Sequence, residues 1–401
     1  MNISLYIHVP FCEKKCRYCD FYSIERMHQK DEFVQMVTRE LALRATMIAQ
    51  QHSVKTIFFG GGTPSLLSPT QFQTIGDAIH NHYHVDSDCE WTMECNPGTV
   101  TLENLQQYKT SGVNRISFGV QSFHQTELEF LDRIHSPEDA ETAVELARTA
   151  GIHNINIDLM FALPHQTKET FTATLQRALA LNTEHISAYS LIYEEGTPLF
   201  TMLQKGEVSQ SSEETDAEMY QLAINTLTSN GYSQYEISNF AKPGLECKHN
   251  LVYWNAEEYL SFGPSAHGFI NNSRYWNYRN ISTYLQKLQN NELPTANSEV
   301  LSVSERMFER AFLELRAQGV RLDKFKTDFG IDITNDLKST IQLWSDEHLV
   351  TLHNGKLSLT SSGYSVCDEL TLQLISGLEK YTSSVWKPAP DNQYQDVFTI
   401  L

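Results

Sequence analysis

No apolar run in this 401-residue sequence reaches the roughly 18 residues that a membrane-spanning helix needs. The sequence does not open on a basic stretch followed by an apolar one; it starts directly in a strand-like run, and no targeting segment is expected. Positive charge is scarce. The 30 Lys and Arg stand against 49 Asp and Glu, a formal net charge of −19, which argues against a general nucleic-acid surface. Cysteine is sparse and odd in number: of seven, Cys89, Cys95, Cys247 and Cys367 are scattered and form no disulfide framework. A reducing compartment fits that usage, and the cytoplasm is the expected location. Low-complexity segments are missing too.

The other three cysteines carry the first chemical signal. Cys12, Cys16 and Cys19 are spaced C-x3-C-x2-C just after a short apolar strand. Thiolates so close together are soft ligands, suited to zinc or an iron–sulfur cluster. Structural zinc wants four ligands, usually from paired C-x2-C units, and no second pair follows. A [4Fe–4S] cluster held by three cysteines accounts for the count and leaves one iron open.

At this length the chain has room for one large domain and a smaller one. Short strand-like runs alternate with helical patterns through the first half: Ser4–His8, Lys55–Phe59, Trp91–Cys95, Arg115–Phe118, Asn154–Leu159 and His185–Leu191. The first helix is expected over Asp31–Gln51, and another opens at Ser68-Pro69 as N-cap and first helical residue. Six βα units imply a parallel sheet with helices outside, here a partial (β/α)6 TIM-like barrel. An open doubly wound sheet is the alternative. Residues 1–205 are assigned to the barrel and 206–298 to an extension, with ordered aromatic-rich loops expected over 245–282. Residues 299–377 read as a small winged-helix-like α+β domain, with helices over Val303–Ala317, Leu322–Phe329, Asp336–Asp346 and Thr360–Ile375. Asn354-Gly355 is its hairpin turn. The helix Asp336–Asp346 is not basic, so this domain reads as a cover or partner surface rather than a DNA reader. Residues 378–401 read as a loosely held tail.

Several residues stand at strand ends, where such barrels place their chemistry. Gly60-Gly61-Gly62-Thr63-Pro64 lets a ligand approach bare backbone, or simply makes a tight turn. Glu94 would point a carboxylate into the barrel mouth. Gln121, Arg133 and Asp158 follow the same logic on later units. An Asp within the apolar Asn154–Leu159 run is costly unless paired or bound, and an ion pair with Arg133 is the structural alternative. His249 stands in Cys247-Lys248-His249-Asn250-Leu251-Val252-Tyr253-Trp254, where imidazole is a common haem ligand but a lone His among aromatics is usually structural. Cys247 is a rival ligand. His80, His82 and His84 lie at a helix end and read as solvated.

The cysteine spacing, with Tyr18 between the second and third thiols, resembles the radical S-adenosylmethionine (SAM) enzymes, whose open iron binds SAM. The rest of the chain resembles their oxygen-independent coproporphyrinogen III oxidase branch. That resemblance implies a [4Fe–4S] cluster on Cys12, Cys16 and Cys19. It implies SAM contacts from Tyr6, Tyr18, Gly61 and Glu94, and contacts to a second SAM from Gly62, Thr63, Gln121, Arg133 and Asp158. Two departures matter: Phe21 stands where the decarboxylating dehydrogenases have a fourth cysteine, and only eleven residues precede Cys12. Both are similar to the haem chaperones of the branch, whose H-N-x-x-Y-W motif matches His249–Trp254 and makes His249 the candidate haem ligand. Gly263–Gly268 (GPSAHG) resembles a further block of the branch. The resemblance implies haem as cargo, haem-requiring respiratory proteins as acceptors, and a flavodoxin or ferredoxin as electron donor. It implies no nucleic acid, and membrane contact only peripherally through partners. The competing expectation is a radical coproporphyrinogen III dehydrogenase.

Overall fold

The computed structural model describes residues 2–48 and 52–382. Six strands pair in parallel and in chain order: β1 (Asn2–Val9), β2 (Ser53–Gly61), β3 (His84–Cys95), β4 (Arg115–Gln121), β5 (Asn154–Phe161) and β6 (His185–Ser190). Helices cross between them, among them Lys30–Ala45, Pro69–His82, Pro137–Thr149 and Lys168–Ala180. Ser68 and Ser136 start two of these with reciprocal capping boxes followed by Pro, so the chain turns sharply from loop to helix at both places.

Strand alternation decides what faces inward. On β5, Ile155, Ile157 and Leu159 are buried in the apolar layer under the helices, while Asn156 and Asp158 lie on the other face. The same two-residue period puts Ser4, Tyr6 and His8 of β1, Glu90 and Glu94 of β3, Arg115 and Ser117 of β4, and His185 and Ser187 of β6 on the inner side. The barrel therefore has an apolar jacket and a polar lumen. Unsatisfied, such a lumen would be costly; here Asn156, Asp158, Ser117 and His185 bond one another, while Arg115 Nε and Thr92 Oγ1 are buried without a partner.

The sheet does not stop at six strands. The stretch 245–282, expected as loops, holds the helix Lys248–Trp254 and the strands β9 (Tyr259–Phe262), β10 (His267–Ile270) and β11 (Ser273–Asn277), with β12 (Thr295–Val300) beyond. β9 runs parallel to β1, and β10 to β12 continue antiparallel from it. On the other edge β7 (Ser233–Gln234) and β8 (Asn239–Ala241) add an antiparallel pair beside β6. These strands are two to six residues long, too short for alternation to stand out from turn chemistry. A buried carboxylate fastens the addition to the barrel. Glu40, fully buried, accepts from Arg44 Nε (2.7 Å), the Gly263 amide (2.9 Å), Asn277 Nδ2 (2.8 Å) and the Tyr284 hydroxyl (2.8 Å).

The first helix ends at Ala45 rather than at residue 51, of which 49–51 lie outside the described residues. A second apolar core gathers the helices Val303–Leu315, Leu322–Phe329, Lys338–Asp346 and Cys367–Glu379 around a three-stranded sheet. The wing expected from Asn354-Gly355 is β14 (Val350–His353) and β15 (Lys356–Leu359); β13 (Val320–Arg321) adds a third strand. The last helix is two pieces, Ser361–Tyr364 and Cys367–Glu379. Most of the tail expected from residue 378 lies outside the described residues. Among the described residues no helix is long and apolar enough to cross a membrane.

Candidate functional site

The strand ends of β1 to β5 converge on one rim. The loop after β1 carries the three cysteines and is closed at its neck, with Cys12 N donating to Ile24 O (3.0 Å) and Ile24 N to Pro10 O (2.7 Å). Lys14 and Arg17 anchor its outer side to Asp132 at 2.7 and 2.9 Å. Two residues from elsewhere reach its sulfurs, one after β2 and one from the loop beyond the helix Gln125–Phe130: Thr63 Oγ1 to Cys12 Sγ and Arg133 Nη1 to Cys16 Sγ, both at 3.6 Å. Burial and mutual repulsion push the Cys19 thiol up to about 12, and burial raises Cys12. Three partly buried thiols held near one another, with a cation and a hydroxyl directed at them, suit an electron-poor iron cluster that takes up their negative charge. Among the described residues no three His, Cys, Asp or Glu groups converge as they would on one metal ion. A cube-shaped cluster asks for no such convergence, since each thiolate bonds a different iron. The donor set fits a [4Fe–4S] cluster better than zinc.

The glycine run has a more exacting role than openness. Gly61 adopts φ +106°, and a Cβ there would stand 2.5 Å from the His8 ring; one at Gly62 would stand 2.7 Å from Phe11 O. Both glycines let β2 pass against the start of the cysteine loop. Their amides are committed: Gly61 N donates to Glu94 Oε2 (3.1 Å), Gly62 N to Val9 O (2.8 Å) and Thr63 N to Phe11 O (2.7 Å). A ligand ammonium would meet carbonyl oxygens here. His8 secures the loop from inside, its Nε2 donating to Tyr22 O (2.8 Å), which leaves Nδ1 to accept from Tyr6 OH (3.2 Å).

Glu94 lies on the inner side of β3, one residue before its end. Burial, with Asp158 nearby, lifts its carboxyl to about 8 against the pull of the Gly61 amide and Arg115. Gln121 ends β4 at φ 66°, a left-handed backbone that a non-glycine residue rarely adopts and that often marks a functional site. Arg133 is fixed to Gly119 O and to Asn96 Oδ1 (2.9 Å), with its Nε buried and unbonded. The Arg133–Asp158 ion pair is not formed. Asp158 instead accepts from Asn156 Nδ2 (2.8 Å) and Ser117 Oγ (3.1 Å). Tyr18 packs partly buried beside Leu131, Met160 and Leu163.

His249 is where expectation and structure part. It lies on the helix Lys248–Trp254 and is fully buried, stacked on Phe58 (5.1 Å) and near Tyr6 (6.4 Å). Thr56 gives its own proton to Ser4, so His249 Nδ1 donates to Thr56 Oγ1 (2.7 Å) and Nε2 accepts from Tyr253 OH (2.8 Å). Burial, with Arg115 nearby, holds its pKa down to about 3. Neither nitrogen offers a lone pair to an iron in this conformation. Tyr253 and Trp254 are buried with Tyr259, Leu313 and Ala317. Cys247 is buried as well, its thiol at 3.6 Å from Glu90 Oε1 and 3.3 Å from Asn250 Oδ1. His80 and His82 are exposed in the last turn of the helix Pro69–His82, and His84 is exposed as the first residue of β3. What sequence reasoning missed is the lumen itself: His8, Glu90, Arg115, Asn156, His185 and Tyr235. For all of these but Tyr235, which lies between β7 and β8, the signal was the polar half of the strand alternation.

The family profile of the Radical SAM superfamily matches residues 6–178, and that of the HemN C-terminal domain matches residues 301–366. The heme chaperone HemW of Bacillus subtilis (strain 168) is 37% identical over 92% of this chain and 97% of its own. The heme chaperone HemW of Escherichia coli (strain K12) is 43% identical over 67% of this chain and 70% of its own. Among solved structures, coproporphyrinogen III oxidase (HemN) from Escherichia coli, a radical SAM enzyme, superposes with a TM-score of 0.79 at 23% identity, over 93% of this chain and 89% of that one. That likeness shows a shared fold.

Proposed function

The chain belongs to the HemW family within the radical SAM superfamily, and from that premise we propose that it is a haem chaperone, binding haem and passing it to haem-requiring proteins. Cys12, Cys16 and Cys19 would hold the [4Fe–4S] cluster, which supplies one-electron chemistry when SAM occupies its open iron. The carbonyls of the glycine run, with Glu94, Tyr6 and Tyr18, would receive the methionine end of SAM. Gly62, Thr63, Gln121, Arg133 and Asp158 would hold a second SAM. Arg133 links the two halves, since one guanidinium touches both Cys16 and the β4 end.

The observation that carries the chaperone reading over the decarboxylase is Phe21. It occupies the fourth-cysteine position and lines a small recess with Tyr6, His8, Tyr22 and His267, so an apolar ring fills the place of a thiol. Haem ligation by His249 requires the ring to give up its bonds to Thr56 and to Tyr253 of the same helix, at roughly 1 kcal/mol net each, and the helix Lys248–Trp254 to withdraw from Glu90 and Tyr235. Respiratory haem proteins as acceptors, a flavodoxin or ferredoxin as donor, a cytoplasmic setting and peripheral membrane contact through the acceptor complete the reading. The test is an anaerobic haem titration of the iron- and sulfide-reconstituted protein, run beside a coproporphyrinogen III assay. A saturable Soret band near one haem per chain, with no vinyl product, is expected. Substrate-dependent 5′-deoxyadenosine and vinyl product without haem binding would make the protein a decarboxylating enzyme.

A further inference from the structure

A chain of hydrogen bonds crosses the lumen, and its polarity can be derived link by link. Asp158 as a carboxylate only accepts, so Asn156 must turn its Nδ2 toward Asp158 Oδ1 (2.8 Å). That leaves Asn156 Oδ1 facing His185 Nδ1 (2.6 Å), which therefore carries the proton. His185 is fully buried and burial keeps it neutral, so Nε2 is the acceptor and Tyr235 OH (2.8 Å) donates to it. Tyr235 oxygen in turn accepts the Cys247 amide (3.3 Å). Every donor in the chain points toward Asp158. Bonds aligned in this way polarise one another, so the acceptor strength at one end is felt at the other.

The far end is the root of the helix that carries His249. Cys247 is the residue before that helix, and the helix has no side-chain cap. It is held by the Tyr235 bond to the Cys247 amide and by Glu90 Oε1, which takes the His249 amide (3.1 Å) and the Cys247 thiol. We infer that Tyr235 and His185 are positioning residues that couple ligand binding at Asp158 to release of the His249 helix, so that SAM and haem bind with mutual dependence. This inference rests on the chaperone reading. A cationic ligand group at Asp158 competes for the carboxylate lone pairs, weakens the Asn156 bond and, through His185 and Tyr235, slackens the hold on Cys247. The helix is then freer to draw His249 away from Thr56, and once its ring also turns from Tyr253 on the same helix, His249 becomes available to iron.

The test uses the full, anaerobically reconstituted chain. Haem affinity is read optically with and without SAM, and SAM affinity by calorimetry with and without haem, for the unaltered protein, Tyr235→Phe and His185→Gln. In the unaltered protein SAM is expected to tighten haem binding by about fivefold or more, and haem to tighten SAM by the same factor, as linkage demands. Both variants are expected to bind haem with affinity independent of SAM. A purely structural role would lower the melting temperature and leave the linkage intact, and full linkage in a folded variant would overturn the inference. If Tyr235→Phe does not fold, His185→Gln decides by the same arms. Haem binding indifferent to SAM in the unaltered protein sinks this inference alone, whereas failure to bind haem at all removes the chaperone reading beneath it.

Discussion

At the scale of single residues, His249 shows how environment overrides motif. The same imidazole that a sequence pattern offers as a ligand is here a neutral core residue with both nitrogens bonded. Its folded pKa of about 3 lies below the ordinary histidine value, so the unfolded chain binds more protons between those limits. Its contribution to stability is therefore complete above about pH 6.5 and is lost as pH falls toward 3. The haem-free protein is expected to show no titration of the His249 ring resonances between pH 8 and 5. A midpoint near 6.5 would mean that the ring is solvated before haem arrives. The cysteines, by contrast, were legible from spacing alone, because three thiols in so short a loop have little other use. Glu94 and Asp158 were legible too, as charges at the ends of apolar strands. His185 and Tyr235 were not, since their partners lie 29 and 12 or more residues away and become neighbours only once the strands register.

At the scale of elements, the six βα units were readable because long amphipathic helices and apolar runs repeat their periods many times. The added strands β9 to β12 were not, because four- to six-residue strands rich in Tyr, Trp, Asn and Gly carry turn signals as strong as their strand signals. What fixes them is tertiary. Glu40 ties the first barrel helix to the loop after β9, to β11 and to the helix Ile281–Gln289. Glu40→Ala leaves Arg44 buried without its carboxylate and is expected to cost about 3–5 kcal/mol in denaturant unfolding. A loss under 1 kcal/mol would show that the added strands are held by apolar packing alone. A similar knot joins the C-terminal domain to the barrel extension: Glu314 takes Arg310 Nε (2.8 Å) and Arg321 Nη2 (2.7 Å), and Arg321 also reaches Asn255 O (3.2 Å) just past the His249 helix. Glu314→Ala is expected to destabilise by a comparable amount, and to speed amide exchange in Lys248–Trp254. Unchanged exchange there would show that the helix is indifferent to the domain beside it.

At the scale of the whole molecule, the cluster loop sits on the rim of the barrel while the His249 helix packs on the lumen face, where Thr56, Tyr6 and Glu90 meet it. The two sites are expected to empty separately. Cys16→Ser should abolish the absorbance of the reconstituted cluster and leave a haem titration with a saturable endpoint. If haem binding disappears with the cluster, the cluster loop itself belongs to the haem site. The most direct measurement of the central claim is haem transfer: the haem-loaded, reconstituted protein is mixed with a haem-free b-type cytochrome, and the cytochrome spectrum is followed against an equal amount of free haem. Faster or more complete filling from the protein than from free haem is the predicted result. Filling no better than from free haem would contradict the account, and leave a protein that binds haem without delivering it.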